Sequence, residues 1–154
     1  MRFLPLFFTL LSFSICAQTD QDKEILSIVD HFFQAMADRD TAALHSIMTA
    51  DGIFHAVPQG SDREPRAVSH QQFIADLAKG EEKLLERYWE PEVWIGEGIA
   101  TVCAEYDFHV DGKRSHCGTD VFTFVRTKAG WKISGGVFNM KKEGCAESPL
   151  GPVE

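Results

Sequence analysis

Apolar residues recur at steps of three and four between Asp20 and Asp38: Ile25, Ile28, Val29, Phe32, Phe33 and Met36. That spacing predicts a helix with one apolar face. Asp20 and Asp22 favour its positive end. Asp40-Thr41 reads as the cap of a short second helix, Ala42 to Met48, which Asp51-Gly52 ends. Ile53 to Val57 then alternates as a short strand stopped by Pro58. Gln59 to Pro65 is a polar loop, and Ala67-Val68 offers a short pairing strand. Ser69 caps a third helix, His70 to Ala78, with Phe73, Ile74 and Leu77 inward and His70 in the first turn toward solvent.

From Lys83 the helical period disappears. Leu84 to Ile95 reads as one long strand with a bulge at Glu90-Pro91. Gly96-Glu97-Gly98 turns the chain into Ile99 to Val110. Asp111-Gly112 is a hairpin turn signal. Counting from it places Val110 opposite Lys113, His109 opposite Arg114, Asp107 opposite His116, Glu105 opposite Gly118 and Cys103 opposite Asp120. A loop of four residues after Arg126 leads to the last strand.

This register gathers Glu105, Asp107, His109, His116 and Asp120 on one face, continued by Phe122 and Phe124. Trp131, Ile133, Val137 and Asn139 of the last strand join them. A carboxylate beside an imidazole orients it and raises its pKa. His116 with Asp107, and Asp120 as a second acid, are therefore the expected acid–base or anchoring groups. Trp89, Glu105, Phe122, Phe124, Trp131 and Asn139 are expected around a ligand, with Tyr88 and His55 as further candidates. His55 shares its strand face with Ile53 and Val57, which suits a satisfied core histidine as well as a ligand contact. No nucleophile, metal-ligand spacing or cofactor motif is evident. Both faces of the sheet are too apolar to stand in water. The helices cover one, so a homodimer is expected through the other.

Residues 1–17 read apart from the rest. A basic start at Arg2, an apolar run from Phe3 to Ile15 and small residues at Cys16-Ala17 form a signal-peptide pattern. Residues 18–154 then make a single domain, exported to the periplasm or beyond. Cys16 as a lipidated first residue is the alternative, less suited because Ile15 is bulky. No later run is apolar enough to span a bilayer. The chain has 15 basic and 23 acidic residues, a net charge of −8 that is one unit more negative without Arg2. With no basic cluster, this argues against nucleic acid and anionic membranes. An oxidising compartment makes a disulfide plausible. Cys117–Cys145 is the favoured pair because it pins the tail, with Cys103 left free; three reduced thiols are the alternative.

The segment Phe32-Phe33-Gln34-Ala35-Met36-Ala37-Asp38-Arg39-Asp40-Thr41-Ala42-Ala43-Leu44, followed by a long meander ending in Gly130-Trp131-Lys132-Ile133, resembles the nuclear transport factor 2-like superfamily. Tyr106-Asp107-Phe108, Asp111-Gly112-Lys113, Ser115-His116-Cys117-Gly118 and Glu143-Gly144-Cys145 are similar to its exported bacterial SnoaL-like and lumazine-binding-like members. The resemblance implies an α+β cone, with N-terminal helices packed on a curved, mostly antiparallel sheet around a pocket. It spans isomerases, dehydratases, cyclases and non-catalytic binding domains, and it transfers no full catalytic set. Three functions stay open: a small-molecule-binding domain, an isomerase, dehydratase or cyclase using His116–Asp107, and a dimeric accessory module without ligand.

Overall fold

The computed structural model describes residues 19–60 and 62–153. The expected signal peptide and Cys16 lie outside these residues. Helix α1 spans Asp20–Asp38 and α2 spans Thr41–Ile47. Strands β1 (Met48–Pro58) and β2 (Arg66–Ser69) precede α3 (His70–Leu77). Strands β3 (Leu84–Ile95), β4 (Ile99–Val110), β5 (Lys113–Thr127) and β6 (Gly130–Met140) follow. They form one six-stranded sheet in the order β2-β1-β6-β5-β4-β3, antiparallel except where β1 runs beside β6. Among the described residues, no helix is long and apolar enough to cross a membrane.

Local chemistry accounts for the element ends. Thr19 and Asp22 close a reciprocal capping box on α1, the Thr19 amide donating to Asp22 Oδ2 at 2.7 Å and the Asp22 amide to Thr19 Oγ1 at 3.1 Å. Arg39 ends α1 in the left-handed region, and its guanidinium spans to the Leu77 carbonyl and Glu82, tying α1 to the end of α3. Asp40 and Ser69 cap α2 and α3 as their sequence positions predict. The apolar face of α1 packs Ile25, Val29, Phe32, Phe33 and Met36 against the concave side of the sheet, where Val102, Phe122, Phe124 and Ile133 are buried.

The Asp111-Gly112 turn has left-handed φ at both residues, as that hairpin type requires. The register begins as counted, with Val110 opposite Lys113 and His109 opposite Arg114. Ser115 is then an extra residue on β5. Beyond it Phe108 pairs with His116, Asp107 with Cys117, Tyr106 with Gly118, Glu105 with Thr119, Ala104 with Asp120 and Cys103 with Val121. A shift of one residue exchanges the faces of one strand relative to the other. His116 and Asp120 therefore share the concave face with Tyr106 and Phe108, while Asp107, Glu105 and Cys103 take the convex face. The expected Asp107–His116 pair does not exist.

Further along, β5 runs to Thr127 and β6 restarts at Gly130, so the connection is shorter than the four residues expected. The register near the turn is nevertheless the expected one, Arg126 opposite Trp131 and Phe124 opposite Ile133, with Trp131 and Ile133 both buried on β6; the irregularity between Thr123 and Phe124 then turns Val137 outward, 42 % exposed. The bulge between Trp89 and Glu92 is present, with Glu90 at φ 50°.

His70 corrects another expectation. It is buried, not solvent-facing, because α3 folds back onto β1. Its Nδ1 lies 2.8 Å from the Thr49 carbonyl, and its ring meets Phe54 at 4.5 Å. Gly52 makes the room, since a Cβ there would fall 2.0 Å from His70 Cε1.

The C-terminal residues fold across the convex face. Cys145 is disulfide-bonded to Cys117, and Cys103 is free. Arg87 Nη1 donates to the Gly151 carbonyl at 2.9 Å. Asp107 and His109 are buried on this side.

Candidate ligand cavity

Between the helices and the concave face lies a cavity of about 790 Å³. That volume is within the range of sites for small organic molecules. Its walls are aromatic because α1, β1, α3, β4 and β5 each send phenylalanine inward: Phe32, Phe33, Phe54, Phe73, Phe108 and Phe122. Phe32 is the hub, with ring centroids 5.5–5.7 Å from Phe33, Phe54, Phe73 and Phe122. Met36 and Met140 complete the apolar lining. Arg39, Arg66, Asp76, Lys79 and Glu82 also line it, and most of these are exposed and mark its mouth.

Polar groups enter from three adjacent strands. Alternation along β3 turns Glu86 inward, β4 contributes Tyr106, and β5 contributes His116 and Asp120. Glu86 and Asp120 lie on this wall as two interacting carboxyls. Two carboxyls this close cannot both ionise, so the pair titrates as a unit. Burial first, then the charge of Asp120 and its hydrogen bond, push Glu86 well above the usual carboxylate range. Burial also raises Asp120, to about 7, against the lowering effect of the Glu86 hydrogen bond. The two carboxyls share the proton as a pair, and burial is the main cause that raises both. Asp120 is 4 % exposed, and among the described residues no amide, hydroxyl or basic side chain reaches its Oδ2.

Tyr106 is fully buried, and its hydroxyl donates to the Asn139 carbonyl at 2.8 Å. Burial and the two carboxyls raise its pKa. His116 sits edge-on to Tyr106 at 5.7 Å and tilted over Phe108 at 5.0 Å, with Nδ1 3.1 Å from Ser115 Oγ. Burial, reinforced by Lys142, lowers its pKa, so the ring is neutral at physiological pH.

Of the residues expected at a ligand site, His116, Asp120 and Phe122 do line the cavity. Asp107 does not. It is held by Arg87 in a two-pronged ion pair, Nε to Oδ1 at 2.9 Å and Nη2 to Oδ2 at 2.6 Å, with His109 Nε2 3.3 Å away. Burial works against its charge, but the Arg87 and His109 contacts prevail and lower its pKa. Glu105 and Trp89 pair with each other on the convex side, where Glu105 accepts from Thr119 Oγ1 at 2.8 Å. Phe124 and Trp131 are core residues, the latter beneath the Arg126 guanidinium at 5.5 Å. Asn139 serves through its backbone and by accepting the Thr119 amide. His55 points outward and is exposed. Tyr88 donates to Asp30 at 2.7 Å beside a separate, shallow groove between α1 and β3.

Glu86 is the site residue that the sequence reading missed. Its signal was an acid alternating in phase with Leu84 and Tyr88 on a predicted strand. Tyr106 and Phe108 share the face of His116 because Ser115 is the extra residue on β5; counting without it puts Glu105, Asp107 and His109 there instead.

A curved sheet folded over helices around a largely apolar cavity, with Glu86 and Asp120 on its wall, defines a cavity-forming α+β cone. Residues 25–138 match the family model for the SnoaL-like domain, and the chain belongs to that family. No curated protein matches it. Among solved structures, an NTF2-like protein from Cytophaga hutchinsonii superimposes with a TM-score of 0.68 at 16% identity, over 80% of this chain and all (100%) of that one. A candidate dehydratase of the NTF2-like family from Streptomyces avermitilis gives 0.63 at 17% identity, over 79% of this chain and 97% of the other. A candidate aromatic ring hydroxylase from Novosphingobium aromaticivorans gives 0.62 at 18% identity, over 80% and 92%. At these identities the likeness is one of fold.

Proposed function

We propose that the protein is an exported domain that binds a small organic molecule in this cavity, with the phenylalanine walls holding an apolar body. The observation that carries the reading is the aromatic-walled cavity with Glu86, Asp120, Tyr106 and His116 grouped along one side. Apolar walls supply affinity, and a few placed polar groups supply orientation. The disulfide agrees with an oxidising compartment. Mass spectrometry of the purified protein, before and after denaturation, tests the reading. A stoichiometric small molecule released on unfolding is expected. Finding none, with no thermal shift across a broad metabolite panel, contradicts it.

Acid–base catalysis in the same cavity is the second reading, favoured by the proton that Glu86 and Asp120 share. It places the chemistry on this pair and not on Asp107. Asp120→Asn then abolishes turnover of the recovered molecule while its binding persists; undiminished turnover contradicts the reading.

A homodimer through the convex face belongs to the same proposal. Ile53, Trp94 and Ile99 are exposed there, opposite the cavity. Sedimentation velocity tests it: Trp94→Glu shifts a dimer to monomer, and a wild-type monomer at all concentrations contradicts it.

A further inference from the structure

We infer that Glu86 and Asp120 form the seat for the protonated amine of the ligand, and that the cavity selects cations with an apolar body. The inference rests on the cavity reading above and adds the charge of the ligand.

Asp120 is a buried acid that lines the cavity with one oxygen unserved by any amide, hydroxyl or basic group. Glu86 can satisfy part of it, but a carboxyl pair has one acidic hydrogen for four oxygens. An ammonium brings up to three N–H donors and a charge of the required sign. The surrounding phenylalanine faces attract a cation as well.

The other groups that face the pair do not neutralise it. Tyr106 gives its hydroxyl to Asn139, and His116 is held neutral. Arg87, the cation on the adjacent strand, is committed to Asp107 on the opposite face. Glu105 and Asp107 lie across the sheet and add repulsion that an incoming cation relieves. Helices α1 and α3 line the interior with Phe33, Met36 and Phe73, and Gln72 and Asp76 of α3 lie on the exposed part of the lining. The cations at the mouth, Arg39, Arg66 and Lys79, stand among Asp76 and Glu82, and Arg39 already serves Leu77 and Glu82. A neutral guest would leave Asp120 desolvated and unpaired, and an anion would be repelled by the pair. The amine favours the ionised pair, so its entry expels a proton to solvent wherever Asp120 is protonated beforehand.

The test is calorimetric titration of the purified chain with 2-phenylethylamine, 2-phenylethanol and 3-phenylpropionate. It is run at pH 6 and 8 in two buffers that differ in ionisation heat. The amine is expected to bind at least about tenfold more tightly than the alcohol at pH 8, as a charge-assisted contact provides. Its binding releases a fraction of a proton at pH 6 that shrinks by pH 8. The doubly neutral Glu86→Gln/Asp120→Asn chain, its fold checked by thermal unfolding, loses the amine preference and the proton release. An alcohol that binds as tightly as the amine, or a preference that survives in the double variant, overturns the inference and leaves the cavity reading standing. Failure of all three probes to bind overturns both.

Discussion

A Cβ on Gly118 would stand 2.1 Å from the carbonyl oxygen of Asn139, the atom that accepts the Tyr106 hydroxyl. The glycine is needed for close approach of two backbones. It lets β6 come near enough for Tyr106 to be satisfied beneath the cavity. Gly118→Ala must push β6 away or strand a buried hydroxyl. Overpacking and a lost buried hydrogen bond together cost about 2–4 kcal/mol. Chemical denaturation should show that loss, and a change within about 0.5 kcal/mol would contradict the role given to Gly118.

Arg87 and Asp107 form a pair buried between the sheet and the tail, with side-chain exposures of 15 % and 3 %. Arg87→Met leaves the carboxylate unpaired and is expected to destabilise by about 3–5 kcal/mol. Arg87→Met/Asp107→Leu should recover most of that. The sign with pH follows from the lowered pKa of Asp107. Its contribution is present above the unfolded value near ~3.9 and is lost as pH falls through the lower folded value. Denaturation of the double variant should lack that acid loss; an unchanged acid limb contradicts the assignment.

The Cys117–Cys145 bond closes a loop with a sequence separation of 28 and holds the tail over Asp107 and His109. Cys145→Ser should cost about 3 kcal/mol and speed amide exchange in residues 143–153 and at the convex ends of β4 and β5. Unchanged exchange in the tail would show that Arg87, through Gly151, and Arg114, whose Nη1 donates to the Ala146 carbonyl at 3.5 Å, hold it without the bond.

Glu86 and Asp120 give a pH dependence of opposite sign to that of Asp107. Their raised folded values mean the native chain holds more protons than the unfolded one from about pH 4 through the Asp120 value of about 7 and, for Glu86, until its own raised value is passed. The pair's contribution is complete below the unfolded value and lost as pH rises across that window. His70 and His116, both lowered mainly by burial, act the other way near their ordinary value. Comparison of wild type with Glu86→Gln/Asp120→Asn isolates the pair. From pH 5 to 8 the wild type should lose stability steadily relative to the variant. Parallel pH–stability curves would contradict the shared-proton description.

Most of the fold was legible because long elements carry redundant signals. The apolar period of α1, the caps at Asp40 and Ser69, and the Asp111-Gly112 turn each define an element locally. The bulge at Glu90-Pro91 was legible because proline cannot continue a ladder. The site was less legible for one physical reason. Ser115 carries no mark of a bulge, yet one unpaired residue reverses which groups face inward. That reversal removed Asp107 from the cavity and brought in Tyr106 and Phe108. Glu86 lay outside the hairpin that counting could reach, so the partner of Asp120 emerged only when β3 was placed beside β4. The burial of His70 likewise depends on Gly52, a contact between separate elements.

Methionine methyl groups give the most direct test of a ligand cavity between helices and sheet. Met36 and Met140 line it, whereas Met48 is buried at the start of β1 away from the cavity. In ¹³C-methyl-labelled protein titrated with 2-phenylethylamine, or with the molecule recovered from the purified chain, the Met36 and Met140 signals should shift and saturate together while Met48 stays in place. No shift of Met36 and Met140 at saturation, or an equal shift of all three, would contradict the account.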